Sequence, residues 1–165
     1  MGKVIAIVLA AVAVIAAVGL YYLQVFHYYE RVSPRGFVLQ TASGEIPAEA
    51  TNIEAIDANS SPIRFRACFD TPLGPDVAAE RYDSADPLNA PFWFDCFDAE
   101  EIGEALARGE AQAFMGQKNV EYGVDRVVAI LPGGRGYVWH QLNNCGEVAY
   151  DGTQIGEECP PREDQ

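Results

Sequence analysis

The chain holds only two histidines, His27 and His140, and four cysteines, no two of which stand two residues apart. That spacing excludes a zinc knuckle, and without a Cys-x-x-Cys-His segment there is no covalent haem attachment. The glycine-rich stretch Pro132–Gly136 lacks the Gly-Lys-Ser/Thr ending of a phosphate loop. No calcium-loop pattern of alternating acidic ligands around a central glycine occurs either; helix capping explains most of the acidic group Asp95, Asp98, Glu100, Glu101 and Glu104. No serine or cysteine nucleophile stands in a recognised context, so His140 reads as a sheet residue, and an enzyme pairing it with a carboxylate is the weakest functional reading. No cofactor is expected. Cations are scarce as well: 11 Lys and Arg stand against 24 Asp and Glu, a formal net charge of -13. Such a chain repels nucleic acid and anionic headgroups, which excludes nucleic acid as a partner.

Charge of either sign is missing altogether from Val4 to Leu23, where nearly every residue is Val, Ile, Ala or Leu. As a helix this run spans ~30 Å, the thickness of a bilayer's hydrocarbon core. Only Met1, Gly2 and Lys3 precede it, and Lys3 with the α-amino group predicts a cytoplasmic N-terminus. An aromatic belt follows, with Tyr21, Tyr22, Phe26, Tyr28 and Tyr29 expected at the headgroup level before the first acidic residue, Glu30. A cleavable signal peptide is the rival reading. It fits less well because the run is longer than an ordinary signal core and no small-x-small site closes it. An N-myristoyl signal fails because Ala6 stands where Ser or Thr is needed. Ala13, Ala17 and Leu20 fall near one helical face, a candidate surface for contact with another membrane helix.

Removing the span leaves roughly 135 residues, the size of one domain. The boundaries read as 1–29 for the anchor, 30–159 for the domain and 160–165 for a mobile tail. Cys68, Cys96, Cys145 and Cys159 all follow the span, and an even count on the oxidising side reads as two disulfides. Three connectivities are possible. The aromatic contexts of Cys68 and Cys96 match each other, and Cys145 with Cys159 brackets a short C-terminal segment, so the expected pairing is Cys68–Cys96 and Cys145–Cys159.

Glu30–Arg35 reads as a polar connection into a first strand, Phe37–Gln40, followed by a loop through Gly44, Pro47 and Glu49. Asn52–Asp57 and Ile63–Phe69 flank a turn and form a hairpin, with Ile63, Phe65, Ala67 and Phe69 on the core face and Arg64, Arg66 and Cys68 on the other. That second face then needs a cover. Thr71–Pro91 is punctuated by prolines, with a helical turn or two at Asp76–Tyr82. Phe92–Phe97 is the most apolar stretch beyond the anchor and predicts a buried strand or corner. Asp98 opens a helix that Gly109 ends, with Ile102, Ala105 and Leu106 as its buried stripe. Gln112–Met115 is a short strand, Val124–Leu131 and Tyr137–Leu142 form a hairpin, and Glu147–Tyr150 is a last strand. The class is α+β: an N-terminal transmembrane helix, then a small disulfide-bonded domain with an antiparallel sheet and one or two short helices.

The anchor with its Tyr21–Tyr29 belt, together with Ile63–Phe69 and Trp93–Phe97, resembles an uncharacterised family of single-span proteins from alphaproteobacteria. The resemblance carries no activity and no site residues. It implies a bacterial inner membrane and a periplasmic domain. The resulting expectation is a non-catalytic accessory subunit or assembly factor of an integral membrane protein complex, such as a respiratory one, held through the transmembrane helix in the lipid bilayer. The alternative is an acidic docking module recruiting a basic periplasmic protein such as a c-type cytochrome.

Overall fold

A computed structural model describes residues 1–157 and 159. The first element is a helix, α1 (Gly2–Tyr22), none of whose residues is buried. It runs into a π-helical turn, Leu23–His27, closed by the Tyr28 N–H donating to the Leu23 carbonyl at 3.2 Å. Gly2–His27 is the one helix among the described residues long and apolar enough to cross a membrane.

The rest is an antiparallel sheet protein. Its strands are β1 (Glu30–Val32), β2 (Val38–Thr41), β3 (Gly44–Pro47), β4 (Thr51–Asp57), β5 (Arg66–Asp70), β6 (Gln112–Glu121), β7 (Val124–Ile130) and β8 (Arg135–Leu142), with one helix, α2 (Ala99–Ala107), before β6. Six of them form one sheet in the order β1-β4-β5-β8-β7-β6, and β2 pairs with β3 as a separate hairpin. The chain leaves the sheet centre at Asp70, re-enters at the far edge with β6 and returns so that β8 pairs with β5, Ala67 opposite Val138.

Both faces of this sheet are covered, which is why its central strands β5, β7 and β8 are buried over most of their length. On one face Phe65, Ala67, Phe69, Val128, Ile130 and Val138 pack with Phe37 and Leu39 of the β2–β3 hairpin region. On the other, Cys68, Val127, Ala129, Tyr137 and Trp139 pack beneath Phe94, Phe97 and Ile102. The cover that Cys68 requires is thus α2 and the corner before it, tied down by the Cys68–Cys96 disulfide; the second disulfide joins Cys145 to Cys159. The outer end of the Phe69 ring lies against Gly136, its register partner, where a Cβ would fall 2.2 Å from the ring. Only glycine fits there.

α2 forms where its capping signals stand. The Asp98 carboxylate accepts from the Glu100 and Glu101 N–H groups at 2.9 and 3.1 Å, Ile102 and Ala105 are its buried residues, and Gly109 leaves it at φ +69°.

Four expectations are corrected. The polar connection begins as strand β1, because the open edge of β4 offers a pairing partner: Arg31 lies opposite Ile56. The expected loop after β2 is strand β3, turned back by Thr41, whose hydroxyl donates to the Gly44 carbonyl at 2.7 Å. Asp76–Tyr82 is not helical. Its end is drawn out between two strands, with the Glu80 N–H donating to Gln40 at 2.7 Å, the Glu80 carbonyl accepting from Met115 at 2.9 Å and the Tyr82 N–H donating to Ala113 at 3.0 Å. Glu147–Tyr150 contributes only an isolated bridge, Val148 to Gln154. The expected tail, Pro160–Gln165, lies outside the described residues.

Candidate functional site

The helix end and the domain meet in a built junction. The last carbonyls of a helix have no partner within it and need one from elsewhere. Here they find it in residues far along the chain. The Trp93 Nε1–H donates to the Val25 carbonyl at 2.8 Å, and Arg64 donates to the Gln24 carbonyl at 3.4 Å and to the Gln24 side-chain oxygen. The Arg64 guanidinium lies 5.4 Å from the centre of the Tyr29 ring, and Arg31 lies 6.0 Å from that of Trp93.

The expected belt divides around this junction. Phe26 stacks on Tyr22 with ring centres 5.9 Å apart and meets Tyr21 edge-on at 6.5 Å, all three being exposed. Tyr28 meets His27 edge-on at 5.4 Å. Tyr29 turns into the domain instead, edge-on to Trp93 at 6.1 Å and against the core beneath α2. Phe92, which the sequence reading placed in a buried stretch, is 68% exposed and meets Phe26 edge-on at 5.8 Å. Lys3 lies exposed near the start of α1, and Ala13, Ala17 and Leu20 are exposed along it.

Behind the junction sits Arg66, only 3% exposed. Its guanidinium donates to the carbonyls of Leu88 at 2.7 Å, Ile63 at 2.8 Å, Phe65 at 2.7 Å and Asn89 at 3.4 Å, and lies 5.8 Å from the centre of the Phe97 ring. Burial pushes its pKa down to about 10, so it stays charged at neutral pH. Arg66 and the Cys68–Cys96 bridge together hold the 88–97 segment against the sheet. The sequence reading saw Arg64 and Arg66 only as the polar side of an alternating strand. Their basic residues on a face that Cys68 required to be covered were the available signal.

His140 is buried, with its ring stacked on Phe65 at 4.8 Å. Arginine can only donate, so the His140 Nε2 accepts from the Arg126 Nε–H at 3.0 Å, and the Nδ1–H donates to the Pro62 carbonyl at 2.9 Å. Burial first, then the Arg126 and Arg66 charges, push its pKa down to about 4 against the opposing Pro62 hydrogen bond. A folded pKa below the unfolded value gives stability that is complete above about pH 6.5 and lost as pH falls toward 4, up to about 3 kcal/mol. We expect a His140→Gln variant to show a flatter fall in Tm between pH 7 and pH 4.5 than the wild type. Parallel curves would mean that His140 protonation does not couple to folding.

A third buried ionisable group, Asp125, accepts from the Asn119 N–H at 2.9 Å, from Asn143 Nδ2 at 2.7 Å and from the Tyr82 hydroxyl at 3.3 Å. Burial and the Asp125 charge push the Tyr82 phenol up to about 12. These bonds fasten the β6–β7 turn and the end of β8 to the 80–82 segment, in the wall of an open groove of about 520 Å³. Of the acidic group around α2, Asp98 caps the helix and Glu104 pairs with Arg108 at 3.0 Å, and no group of three or more His, Cys, Asp or Glu among the described residues is placed to hold a metal ion.

The fold and junction define a class: a disulfide-bonded antiparallel sheet domain fixed to the end of one helix that can cross a membrane. The chain belongs to a family of unknown function, DUF6446, whose model matches residues 37–160. The match covers both disulfides and most of the sheet, while α1 and β1 precede it. No curated protein matches, and no solved structure matches.

Proposed function

We propose that the protein is a non-catalytic, single-pass accessory subunit or assembly factor of a larger bacterial inner-membrane complex, with its N-terminus cytoplasmic and its domain periplasmic. The observation that carries this reading is α1 itself. None of its residues is buried, while the π-helical turn that continues it is bound by Trp93 and Arg64 through Val25 and Gln24. The domain is therefore joined firmly to a helix whose whole circumference is left for lipid and for other helices. Ala13, Ala17 and Leu20 give that helix a face suited to close approach, and dispersion and shape drive such contacts in lipid. Lys3 with the α-amino group favours the cytoplasm for the N-terminus. The two disulfides favour an oxidising compartment for the domain.

The test is a mild-detergent purification of the tagged full chain from native membranes, washed at low and at high salt. Integral membrane proteins retained in fixed ratio at both salts are the expected result, and Ala13→Leu/Ala17→Leu is expected to release them. A soluble basic protein lost at high salt would favour the acidic docking module instead. Recovery of this chain alone would sink both readings.

A further inference from the structure

We propose that the Phe92–Trp93 corner, flanked by Arg31 and Arg64, is a second membrane contact. It sits in the headgroup layer beside the anchor, so that the domain stands against the lipid in one orientation. The proposal rests on the reading of α1 as membrane-spanning.

Four observations lead to it. If Gly2–Tyr22 crosses the hydrocarbon core, Phe26 lies about one helical turn beyond it, at headgroup depth. Phe92 touches Phe26 at 5.8 Å, so it occupies the same layer at any tilt of the helix. Its 68% exposure is then explained, because the solvent on its open side is the acyl boundary rather than water. Second, the corner cannot drift from that depth. Trp93 is bonded to Val25, the neighbour of Phe26, and Cys96 and Arg66 fix the same segment to the sheet.

Third, two guanidiniums lie on the aromatic rings of this junction, Arg31 over Trp93 and Arg64 over Tyr29. Arg31 is two-thirds exposed and has only a 4.0 Å ion pair with Glu54. A stacked, weakly paired guanidinium at headgroup depth is suited to lipid phosphate, which its planar fork matches with two donors. Fourth, Glu30 adjoins Arg31 in sequence and Glu54 pairs with it, so the collar has no large positive excess. It fits the phosphate of any phospholipid rather than the net charge of an anionic membrane.

The test uses the full chain in lipid nanodiscs and its two tryptophans. Trp139 is fully buried under Phe97 in the domain core, beyond reach of lipid. Lipids brominated near the glycerol end of their chains are expected to quench about half of the tryptophan emission, one ring of the two. Trp93→Phe is expected to abolish that quenching. Phe92→Glu is expected to reduce it at least about twofold and Phe92→Leu to retain it, with unchanged near-ultraviolet circular dichroism in both. Adding anionic lipid should leave the quenching unchanged. Absence of shallow quenching in the wild type, or equal quenching in Trp93→Phe, overturns the proposal. Leu9→Trp in the Trp93→Phe background separates the two readings. Its quenching by lipid brominated near the chain ends, with no shallow quenching of the wild type, removes the collar alone; failure of Leu9→Trp to be quenched removes the membrane span beneath it.

Discussion

Replacing Arg66 by methionine is expected to destabilise the domain by about 4 kcal/mol, the largest loss for any single substitution argued here. The side chain is 3% exposed and its cation costs desolvation, which burial registers as a pKa pushed down to about 10. Taken alone, that cost argues that an apolar replacement of similar length would be harmless, as it can be for buried carboxylate pairs. The acceptors decide otherwise. Arg66 has no carboxylate within a salt bridge; it serves four backbone carbonyls, those of Ile63, Phe65, Leu88 and Asn89. Methionine removes the charge but cannot remove the carbonyls, and each one left buried without a donor costs about 1–3 kcal/mol. Part of this is recovered as the 88–90 segment relaxes toward water. For a domain of this size the Tm should fall by roughly 10 °C. Arg66→Lys keeps the charge but not the planar spread of donors, and should lie between the two. Thermal unfolding of the full chain in nanodiscs, followed by near-ultraviolet circular dichroism, checks this. A methionine variant within about 1 kcal/mol of the wild type would show that the fork of hydrogen bonds does not hold the segment.

The parts of this architecture that could be read from the sequence are those specified locally. The β7–β8 hairpin follows from apolar strands around Pro132–Gly136, with Gly133 and Gly134 at positive φ, and α2 follows from Asp98 and Gly109. The alternation of Phe65, Ala67 and Phe69 against Cys68 correctly divided β5 between two buried faces. What escaped is held by partners distant in sequence. β1 and β3 are short, largely polar edge strands whose ladders, rather than their composition, make them strands. The 76–82 segment is drawn straight by hydrogen bonds to Gln40, Ala113 and Met115, and no local pattern announces that. The junction is the extreme case, with Val25 and Trp93 separated by 68 positions and Gln24 and Arg64 by 40. Its aromatic residues were visible as a belt. That Tyr29 turns inward while Phe92 takes a place beside Phe26 depends on where the Cys68–Cys96 bridge sets the corner.

That bridge and the C-terminal one are expected to behave differently when removed, although a chain-entropy argument nearly equates them. Closing loops of sequence separation 28 and 14 restricts the unfolded chain by about 3.5 and 3 kcal/mol respectively. What each bridge fastens differs far more. Cys68 is fully buried in the core face that Phe94, Phe97 and Ile102 cover, so its bond holds a layer of the domain in place. Cys145–Cys159 closes a loop in which Val148, Tyr150 and Ile155 are all exposed, and whose described residues are held by turns of their own backbone and the Lys118–Glu157 ion pair. Such a loop can open without the sheet opening, because regions with few buried contacts unfold locally. Cys68→Ala/Cys96→Ala should therefore lower the Tm of the whole domain by roughly 10 °C and expose the 88–97 segment to protease. Cys145→Ala/Cys159→Ala should leave that Tm within a few degrees while cleavage within residues 144–157 accelerates at least about tenfold. Equal falls in Tm would mean that the C-terminal loop belongs to the same cooperative unit as the sheet, and its exposed residues would then have to be packed against something more than their own turns.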